Sequence, residues 1–388
     1  MLSLKKFFFL SIFILFITLL FWGIYNISFK KVAPTKNTLP VLNSSETNLV
    51  SQNSLKKPQV PDKKISPLSK EQVISPIISP NENSIYYYSI SGELKEIDFF
   101  GNNLKKTNTK DIFGLINALW SPDKTGVILK SKKDTTSSYF LFFNINNNQL
   151  ITLDKNINAV SWQAASSKII YKYFNPIIKK STLNVSDADG KNWKKIIDLP
   201  HDKISFFQIP RSGLISFWNN GDANYSTTLQ IISLIGEDNK IIYQGNFGAD
   251  YLWDNSGNHC LISQTETKNG TTIQLGVIDY KGENYVNLGL PTFVSKCAWS
   301  KDNKTIFCAL PGNIPNNSIL PNDYKNGKFT TIDTFWKIDT VTGEKKRLLE
   351  TKDMPDSTFD VSQIFLNTDE SLLFFVNKID QKLYKITL

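Results

Sequence analysis

One stretch of this chain, Ala118–Leu129, constrains the fold more than any other. It reads Ala-Leu-Trp-Ser-Pro-Asp-Lys-Thr-Gly-Val-Ile-Leu: an apolar strand ending in Trp120, a tight turn, and a second apolar strand. Weaker copies of this pattern recur about every 45 residues. A recurrence at this period indicates a repeat architecture in which each copy is one supersecondary unit.

The copies align on the position of Trp120, with spacings of 42, 42, 46, 45, 46 and 67 residues. A second hairpin follows in most units and is marked by an Asp and a Gly, as in Asp279 with Gly282. Each unit therefore reads as four antiparallel strands, which is one blade of a β-propeller. The aligned residues are Ile78, Trp120, Trp162, Gln208, Trp253, Trp299 and Leu366.

Seven aligned units predict an all-β, seven-bladed propeller over residues 71–388, with six or eight blades as alternatives. A four-stranded sheet cannot bury both of its faces alone, whereas a closed ring can, and a large side chain at the Trp position fills the wedge between blades. The seventh unit ends at Leu388 after about three strands. We therefore expect the ring to close with a strand taken from just before Glu71.

Three segments resemble the repeat of TolB-type, WD-like β-propellers: 120–123 (Trp-Ser-Pro-Asp), 299–302 (Trp-Ser-Lys-Asp) and 185–192. In that family a Ser-Pro-Asp turn and an Asp-x-Asp-Gly hairpin alternate along each blade. The resemblance covers residues 71–388 and implies the fold. The chain departs from the family at Lys124, where Gly is preferred, and at its N-terminus, so a role in the Tol system is not carried over.

The N-terminal segment predicts a membrane anchor. Residues 7–25 contain no charged side chain, and this length is close to the ~20 residues of a membrane-spanning helix. A cleaved signal peptide is the alternative, but the residues that follow, Tyr25–Phe29, are bulky. We expect a cytoplasmic stub and transmembrane helix at 1–27, a Pro/Ser/Asn/Lys tether at 28–70, and a single-pass cell-membrane protein with its propeller outside the cytoplasm.

The charge distribution narrows the class of partner. The formal net charge is +9, but residues 1–70 contain ten lysines and only two acidic residues, so residues 71–388 carry only +1. A nearly neutral domain gives no reason to expect nucleic-acid binding. We predict a scaffold that binds an envelope protein or a surface polymer.

Composition and motifs argue against catalysis. The chain contains two Arg, two His and three Cys residues, so an arginine triad of the sialidase type is excluded by count. Residues 187–190 (Asp-Ala-Asp-Gly) lack the further oxygen ligands of a calcium loop and read as a hairpin turn. No G-x-S-x-G motif is present, and His201 and His259 read as polar loop residues. We predict no catalytic residue, no metal and no cofactor.

The alternative function is a glycan-active or other hydrolytic enzyme that uses the propeller mouth. Such enzymes depend on carboxylates near the central channel. Asp250, Asp254 and Asp360 are the acidic residues that flank the predicted innermost strands.

Two cysteines lie at equal distances from a turn. Cys297 and Cys308 are each five residues from the turn at Asp302-Asn303, so they should face each other on adjacent strands. The sequence favours two small buried thiols, with a cross-strand disulfide as the alternative.

The longest step in the repeat, 67 residues, contains an insertion at Pro311–Thr330. A loop of this length on a compact blade is usually functional or disordered. We predict that it forms a lip over one mouth of the ring and contacts a partner through Asn316, Ile319, Leu320 and Tyr324. A flexible insertion without a partner is the alternative.

Overall fold

The structure, a computed structural model, describes residues 63–388 except 108, 135–136, 165 and 355–357. Pro61–Leu388 forms a compact unit. The predicted transmembrane segment 7–25 and most of the predicted tether 28–70 lie outside the described residues.

The predicted localisation requires correction. Within the described ranges no helix is long and apolar enough to cross a membrane. The α-helix found there, α1 (Asn322–Lys325), has four residues, against the ~20 that a span requires. The expectation of a single-pass cell-membrane protein with an extracytoplasmic propeller is contradicted by this finding and is not carried further.

Antiparallel sheets make up the described fold. The first three four-stranded sheets contain β2 (Val73–Ile78), β3 (Ser84–Ser89), β4 (Leu94–Asp98) and β5 (Lys105–Lys106); β6 (Leu115–Trp120), β7 (Gly126–Lys132), β8 (Ser138–Asn144) and β9 (Gln149–Thr152); and β10 (Ile157–Trp162), β11 (Lys168–Asn175), β12 (Lys180–Asp187) and β13 (Lys194–Asp198).

A seven-stranded sheet follows, and then two more four-stranded sheets. The seven-stranded sheet contains β14 (Ile204–Gln208), β15 (Leu214–Asn219), β16 (Ser226–Ser233), β17 (Lys240–Trp253), β18 (His259–Thr265), β19 (Gln274–Asp279) and β20 (Val286–Leu290). The last two contain β21 (Cys297–Trp299), β22 (Thr305–Pro311), β23 (Asp333–Asp339) and β24 (Lys345–Arg347); and β25 (Val361–Leu366), β26 (Leu372–Asn377), β27 (Leu383–Thr387) and β1 (Ile65–Pro67).

Strand β17 has a double role. Its first half pairs with β16, and its second half, from Phe247 to Trp253, pairs with β18. The outer strand of one four-stranded unit therefore continues directly into the inner strand of the next, which is why two units share one sheet.

The first described strand closes the last sheet. Strand β1 pairs antiparallel with β27, with Ile65 opposite Ile386, and the amides of Leu68 and Ser69 both donate to the carbonyl of Leu383 at 2.7 and 3.1 Å. The closing strand that we expected is present. Strand β1, which completes the last sheet, lies within the predicted tether 28–70.

The seven aligned residues occupy one structural position. Each is the last residue of the innermost strand of its unit, namely of β2, β6, β10, β14, β17, β21 and β25. Three indole N–H groups at this position donate hydrogen bonds to backbone carbonyls of the preceding unit. The pairs are Trp120 with Ser75 (2.8 Å), Trp162 with Leu119 (2.7 Å) and Trp299 with Leu252 (3.1 Å). These residues therefore connect adjacent units as well as filling the space between them.

The turn after each innermost strand explains a sequence departure. Lys124 has a φ of 60°, in the left-handed region that favours glycine. Gly257 occupies the same turn position with φ 77°, and Glu82, Asn303 and Glu370 adopt φ of 56–59° there. The family preference for Gly at this point follows from the backbone conformation of the turn.

The two facing cysteines are bonded. Cys297 and Cys308 are opposite each other in the β21–β22 pair, with Cα atoms 4.1 Å apart, and form a disulfide. The expected facing positions are confirmed, while the favoured interpretation of two free thiols is wrong.

Ring closure predicts a destabilising substitution. Ile65 is 7% exposed and packs with Leu373, Phe375 and Ile386. Ile65→Asp should lower the free energy of unfolding, measured by urea denaturation, by about 3 kcal/mol or more, because apolar contacts are lost and a carboxylate is buried. Ser66→Asp, at the neighbouring half-buried position, should cost under about 1 kcal/mol. Equal effects of the two substitutions would show that β1 is not packed on the last sheet.

Candidate ligand-binding site

The innermost strands surround a central cavity of about 1220 Å³. Its walls come from β2, β6, β10, β14, β17, β21 and β25, and the turns after these strands, such as Ser121-Pro122 and Asn367-Thr368, border one end. The fold therefore produces a concave site at its centre, which is where ligands of ring-shaped domains are expected.

A ring of mainly apolar side chains lines this cavity. The residue before each strand-ending residue lies on the opposite face of its strand, where Leu119, Leu252 and Phe365 also pack partly against the next unit. All seven such residues line the cavity and are partly exposed, and Phe207 is 43% exposed. We call this set the apolar ring: Ile77, Leu119, Ser161, Phe207, Leu252, Ala298 and Phe365.

Polar side chains lie two positions earlier on the same strands. Ser75 Oγ donates to Asn117 Oδ1 at 2.5 Å, which connects β2 to β6, and Gln363 Nε2 donates to the Pro76 carbonyl at 2.9 Å, which connects β25 to β2. Register shifts recur next to this level in β2, β6, β10, β17 and β25. Such bulges redirect side chains, and here they accompany hydrogen bonds between units.

The charged groups among the described residues that line the cavity are Lys124, Lys301 and Glu370. The Glu370 carboxylate accepts hydrogen bonds from Ser300 Oγ (2.7 Å) and the Lys301 amide (2.6 Å), and Lys301 Nζ donates to the Thr368 carbonyl. Burial lowers the pKa of Lys124, whose Nζ donates to a turn carbonyl. These charges hold the turns in place, so the cavity presents mainly apolar and neutral polar groups to a ligand.

The insertion folds back onto the domain with a small core of its own. Leu320 and Tyr324 pack with Ile273 and Phe293, and the Tyr324 and Phe293 rings are stacked with centroids 4.8 Å apart. Leu320 is fully buried and Tyr324 is 8% exposed. Both side chains therefore fill this core. Asn316 is exposed and Ile319 half-buried, and the contact of these loop residues with a partner stays a prediction.

A buried charge network attaches the insertion to the last two sheets. The Lys296 ammonium contacts Asp333 Oδ2 at 2.6 Å and Asp360 Oδ1 at 2.7 Å, with all three side chains inaccessible to solvent. Tyr324 Oη donates to Asp360 Oδ1 at 2.5 Å. Burial raises the pKa of Asp333 despite the nearby ammonium. At Asp360 burial acts in the same sense, but Lys296 and Tyr324 more than offset it and lower the pKa.

The sequence did not reveal this network. Lys296 lies three residues before the strand-ending residue, the position that Asn117 and Asp250 occupy in other units. A lysine at a position otherwise occupied by neutral or acidic residues was the available signal. Its partners lie 37 and 64 residues away in the chain, so spacing could not identify them.

The three carboxylates proposed for an enzyme lie in different environments. Asp254 is buried and accepts hydrogen bonds from the amides of Ser256 and Asn258, each at 3.0 Å, and contacts His259 Nδ1 at 3.1 Å. Asp360 belongs to the network around Lys296. Asp250 alone of the three lines a pocket.

That pocket, which we call the polar pocket, has a volume of about 1180 Å³. It lies between α1, the loop 219–226 and the start of β14, and His201 is part of its wall. Asp250 Oδ1 accepts hydrogen bonds from Trp218 Nε1 and the Tyr251 amide, both at 3.2 Å, and burial raises the Asp250 pKa. The Asn224 amide and the Asn322 side chain lower the pKa of Asp222.

Comparisons with known proteins identify the fold. No family model matches the sequence, and no curated protein matches it. An oligogalacturonate lyase in complex with manganese superposes with a TM-score of 0.61 at 9% identity, covering 84% of this chain and 93% of that one. The β-propeller domain of Myceliophteria thermophila Cps50 (Swd1) gives 0.52 at 9% identity, with 84% and 99% covered.

TolB from Acinetobacter baumannii also matches, with a TM-score of 0.46 and 10% identity over 71% of this chain and 62% of that one. At these identities the two structures with TM-scores above 0.5 establish the fold alone, and this chain is a β-propeller, as the repeat predicted.

The manganese of the lyase has no counterpart set of ligands in the part of this chain that the structure describes. No group of three or more His, Cys, Asp or Glu side chains there is arranged to hold a metal ion. His201 is in the wall of the polar pocket, whereas His259 lies beside the Asp254 turn.

The charge network predicts a strong, pH-dependent effect of removing its cation. Lys296→Met leaves Asp333 and Asp360 buried without a counter-charge, so the free energy of unfolding at pH 7 should fall by about 3–5 kcal/mol. Lys346→Met, at an exposed position of β24, should change it by less than about 0.5 kcal/mol.

The loss of stability in Lys296→Met should depend on pH, because proton binding by Asp333 and Asp360 is linked to folding. In the native protein the lowered pKa of Asp360 stabilises the fold above the unfolded-state pKa, and this contribution is lost as pH falls through the folded-state pKa. Without Lys296 both carboxylates should have raised pKa values, which favour the folded state only when protonated. The deficit of Lys296→Met should therefore shrink from pH 7 toward about pH 4. A deficit independent of pH would contradict the network.

Proposed function

We propose that this β-propeller is a binding scaffold and that its central cavity receives a segment of a partner protein. The observation that carries the proposal is the apolar ring, a set of partly exposed side chains from successive innermost strands around one cavity. Single exposed apolar residues are normal on protein surfaces, but a concave apolar lining is typical of a binding site.

We further propose that the propeller has seven blades. The support is that β17 counts twice, once as the outer strand of one unit and once as the inner strand of the next. With that count, seven innermost strands contribute to the wall of the central cavity.

The chemistry of the lining favours a peptide over a charged ligand. An apolar side chain of the partner would bury Phe207 and its neighbours, and burying a Phe side chain contributes about 1.5–3 kcal/mol. The amides of Asn117 and Gln363 lie at the polar level of the same cavity, where they can pair with peptide groups. Because residues 71–388 carry only +1, long-range attraction contributes little to this association.

Peptide selection tests this proposal. Peptides selected from a random phage-displayed library against the described domain should bind the central cavity. Phe207→Asp should weaken their binding tenfold or more, as the loss of about 1.5–3 kcal/mol requires. Ile177→Asp is the matched control, since Ile177 is 89% exposed in the β11–β12 hairpin, away from the cavity lining.

Two results would count against the central cavity as the binding site. One is a selection that enriches no peptide. The other is a set of peptides whose affinity for Phe207→Asp equals that for the unsubstituted protein.

The second candidate function is a glycan-active enzyme. Asp222 and Asp250 line one pocket, and their pKa values are shifted in opposite directions, lowered for Asp222 and raised for Asp250. Opposite shifts of this kind are how a site obtains a base and an acid from two carboxylates. The match to an oligogalacturonate lyase supports the fold only.

An activity assay separates the two functions. The protein is incubated with oligogalacturonate and with neutral oligosaccharides, and chain cleavage is followed by mass spectrometry beside an Asp250→Asn variant. A binding scaffold produces no cleavage above that variant. Cleavage that disappears in Asp250→Asn would establish the enzyme instead.

A further inference from the structure

The polar pocket differs in chemistry from the central cavity. The ligand proposed for the polar pocket does not depend on the proposal that the central cavity binds a peptide. Its wall combines strand residues with the insertion helix α1, and among the described residues no other unit has an α-helix. We propose that the polar pocket binds a neutral, hydroxyl-rich ligand, namely a sugar residue of an oligosaccharide chain.

Neutral donors and acceptors dominate the pocket wall. Amides and hydroxyls each both donate and accept hydrogen bonds, as sugar hydroxyls do, so the two sets are complementary. The amide side chains come from both the loop and the insertion, and the hydroxyls come from β14 and β16. They are Asn219, Asn220, Asn322, Asn326, Ser205, Ser226 and Thr228. The Asn219 and Asn322 side-chain amides are already hydrogen-bonded to the protein at both ends, so a ligand would meet chiefly the other five.

The charged groups of the pocket offset one another. The Lys325 ammonium acts on Asp250, and that of Lys203 acts on Asp222, in each case favouring the carboxylate form. An anionic ligand would lie against the carboxylates and a cationic one against the ammonium groups. A neutral ligand meets neither repulsion, and its hydroxyls can bond to both kinds of group.

The Asp250 carboxylate can accept a further hydrogen bond. Its Oδ1 accepts the hydrogen bonds from Trp218 and Tyr251, whereas Oδ2 has no hydrogen-bond partner among the residues that the structure describes. This oxygen is not among the buried unpaired polar atoms, so it is accessible from the pocket and can accept a hydrogen bond from a ligand. A sugar hydroxyl can therefore donate to Oδ2.

Tyr225 adds an aromatic surface at the edge of the pocket. Its side chain is 69% exposed. The loop that carries it is held by the Tyr225 amide, which donates to the Asp222 carbonyl at 3.3 Å. An exposed tyrosine offers both an apolar ring face and a polar hydroxyl, which suits the apolar C–H face and the hydroxyl edge of a pyranose.

The pocket wall is fixed before a ligand arrives. Asn322 Nδ2 donates to Asp222 Oδ1 at 3.0 Å, and the Ala223 amide donates to Asn322 Oδ1 at 2.9 Å. Lys325 Nζ donates to the Gly221 carbonyl at 3.2 Å. These contacts join α1 to the loop 219–226, and such preorganisation reduces the entropy lost on binding.

Calorimetric titration of the full chain tests the proposal. The probes are neutral hexasaccharides of glucose (β-1,4 and α-1,4), mannose, xylose and N-acetylglucosamine, with hexagalacturonate as the anionic counterpart. At least one neutral probe should bind, and more tightly than hexagalacturonate. Tyr225→Ala and Asp250→Asn should each weaken that binding tenfold or more.

Matched controls separate this site from the others. Tyr280→Ala removes a tyrosine that is 49% exposed outside the polar pocket, and it should leave saccharide affinity unchanged, as should Phe207→Asp. Because Tyr225 is exposed, its substitution should not unfold the protein. Failure of every neutral probe to bind, tighter binding of hexagalacturonate, or binding indifferent to both Tyr225→Ala and Asp250→Asn would overturn the proposal.

Discussion

The fold depends on the contact between each innermost strand and the unit before it. A twisted four-stranded sheet leaves both faces uncovered, and only neighbours on both sides can bury them. The indoles at the ends of the inner strands fill these gaps, and their N–H groups bond to the preceding unit, as Trp162 does to the Leu119 carbonyl and Trp253 to Ser216 Oγ. Buried indole N–H groups require such partners, so packing and hydrogen bonding specify the same arrangement.

The central cavity is a consequence of this arrangement. The strand-ending residue packs toward the preceding unit, and alternation puts the residue before it on the opposite face of the strand, where it borders both the next unit and the cavity. The same repeat therefore specifies both the contacts that close the propeller and the apolar ring that lines its central cavity. A substitution such as Phe207→Asp changes the cavity wall without touching the contacts between units, whereas Ile65 acts on closure alone.

The repeat was readable from the sequence because its signals are local: apolar alternation, turn residues and the regular step between Trp120 and its counterparts. Departures from the repeat were not readable. The burial of Leu320 and Tyr324 could not be predicted because their partner Phe293 lies outside the insertion. The two carboxylates that pair with Lys296 lie 37 and 64 residues away in the chain and come close to it only in the folded protein. The polar pocket needs loop 219–226 and α1, about a hundred residues apart, to meet.

The most direct measurement of the central claim is hydrogen exchange of the indole N–H groups, followed by NMR of indole-¹⁵N-labelled protein and assigned with single Trp→Phe variants. The indoles of Trp120, Trp162, Trp253 and Trp299 are bonded to the preceding unit, whereas Trp193 is 62% exposed and serves as the internal reference. The account predicts that these four exchange far more slowly than Trp193 and are lost together on unfolding. Exchange of the four at the rate of Trp193 would contradict it.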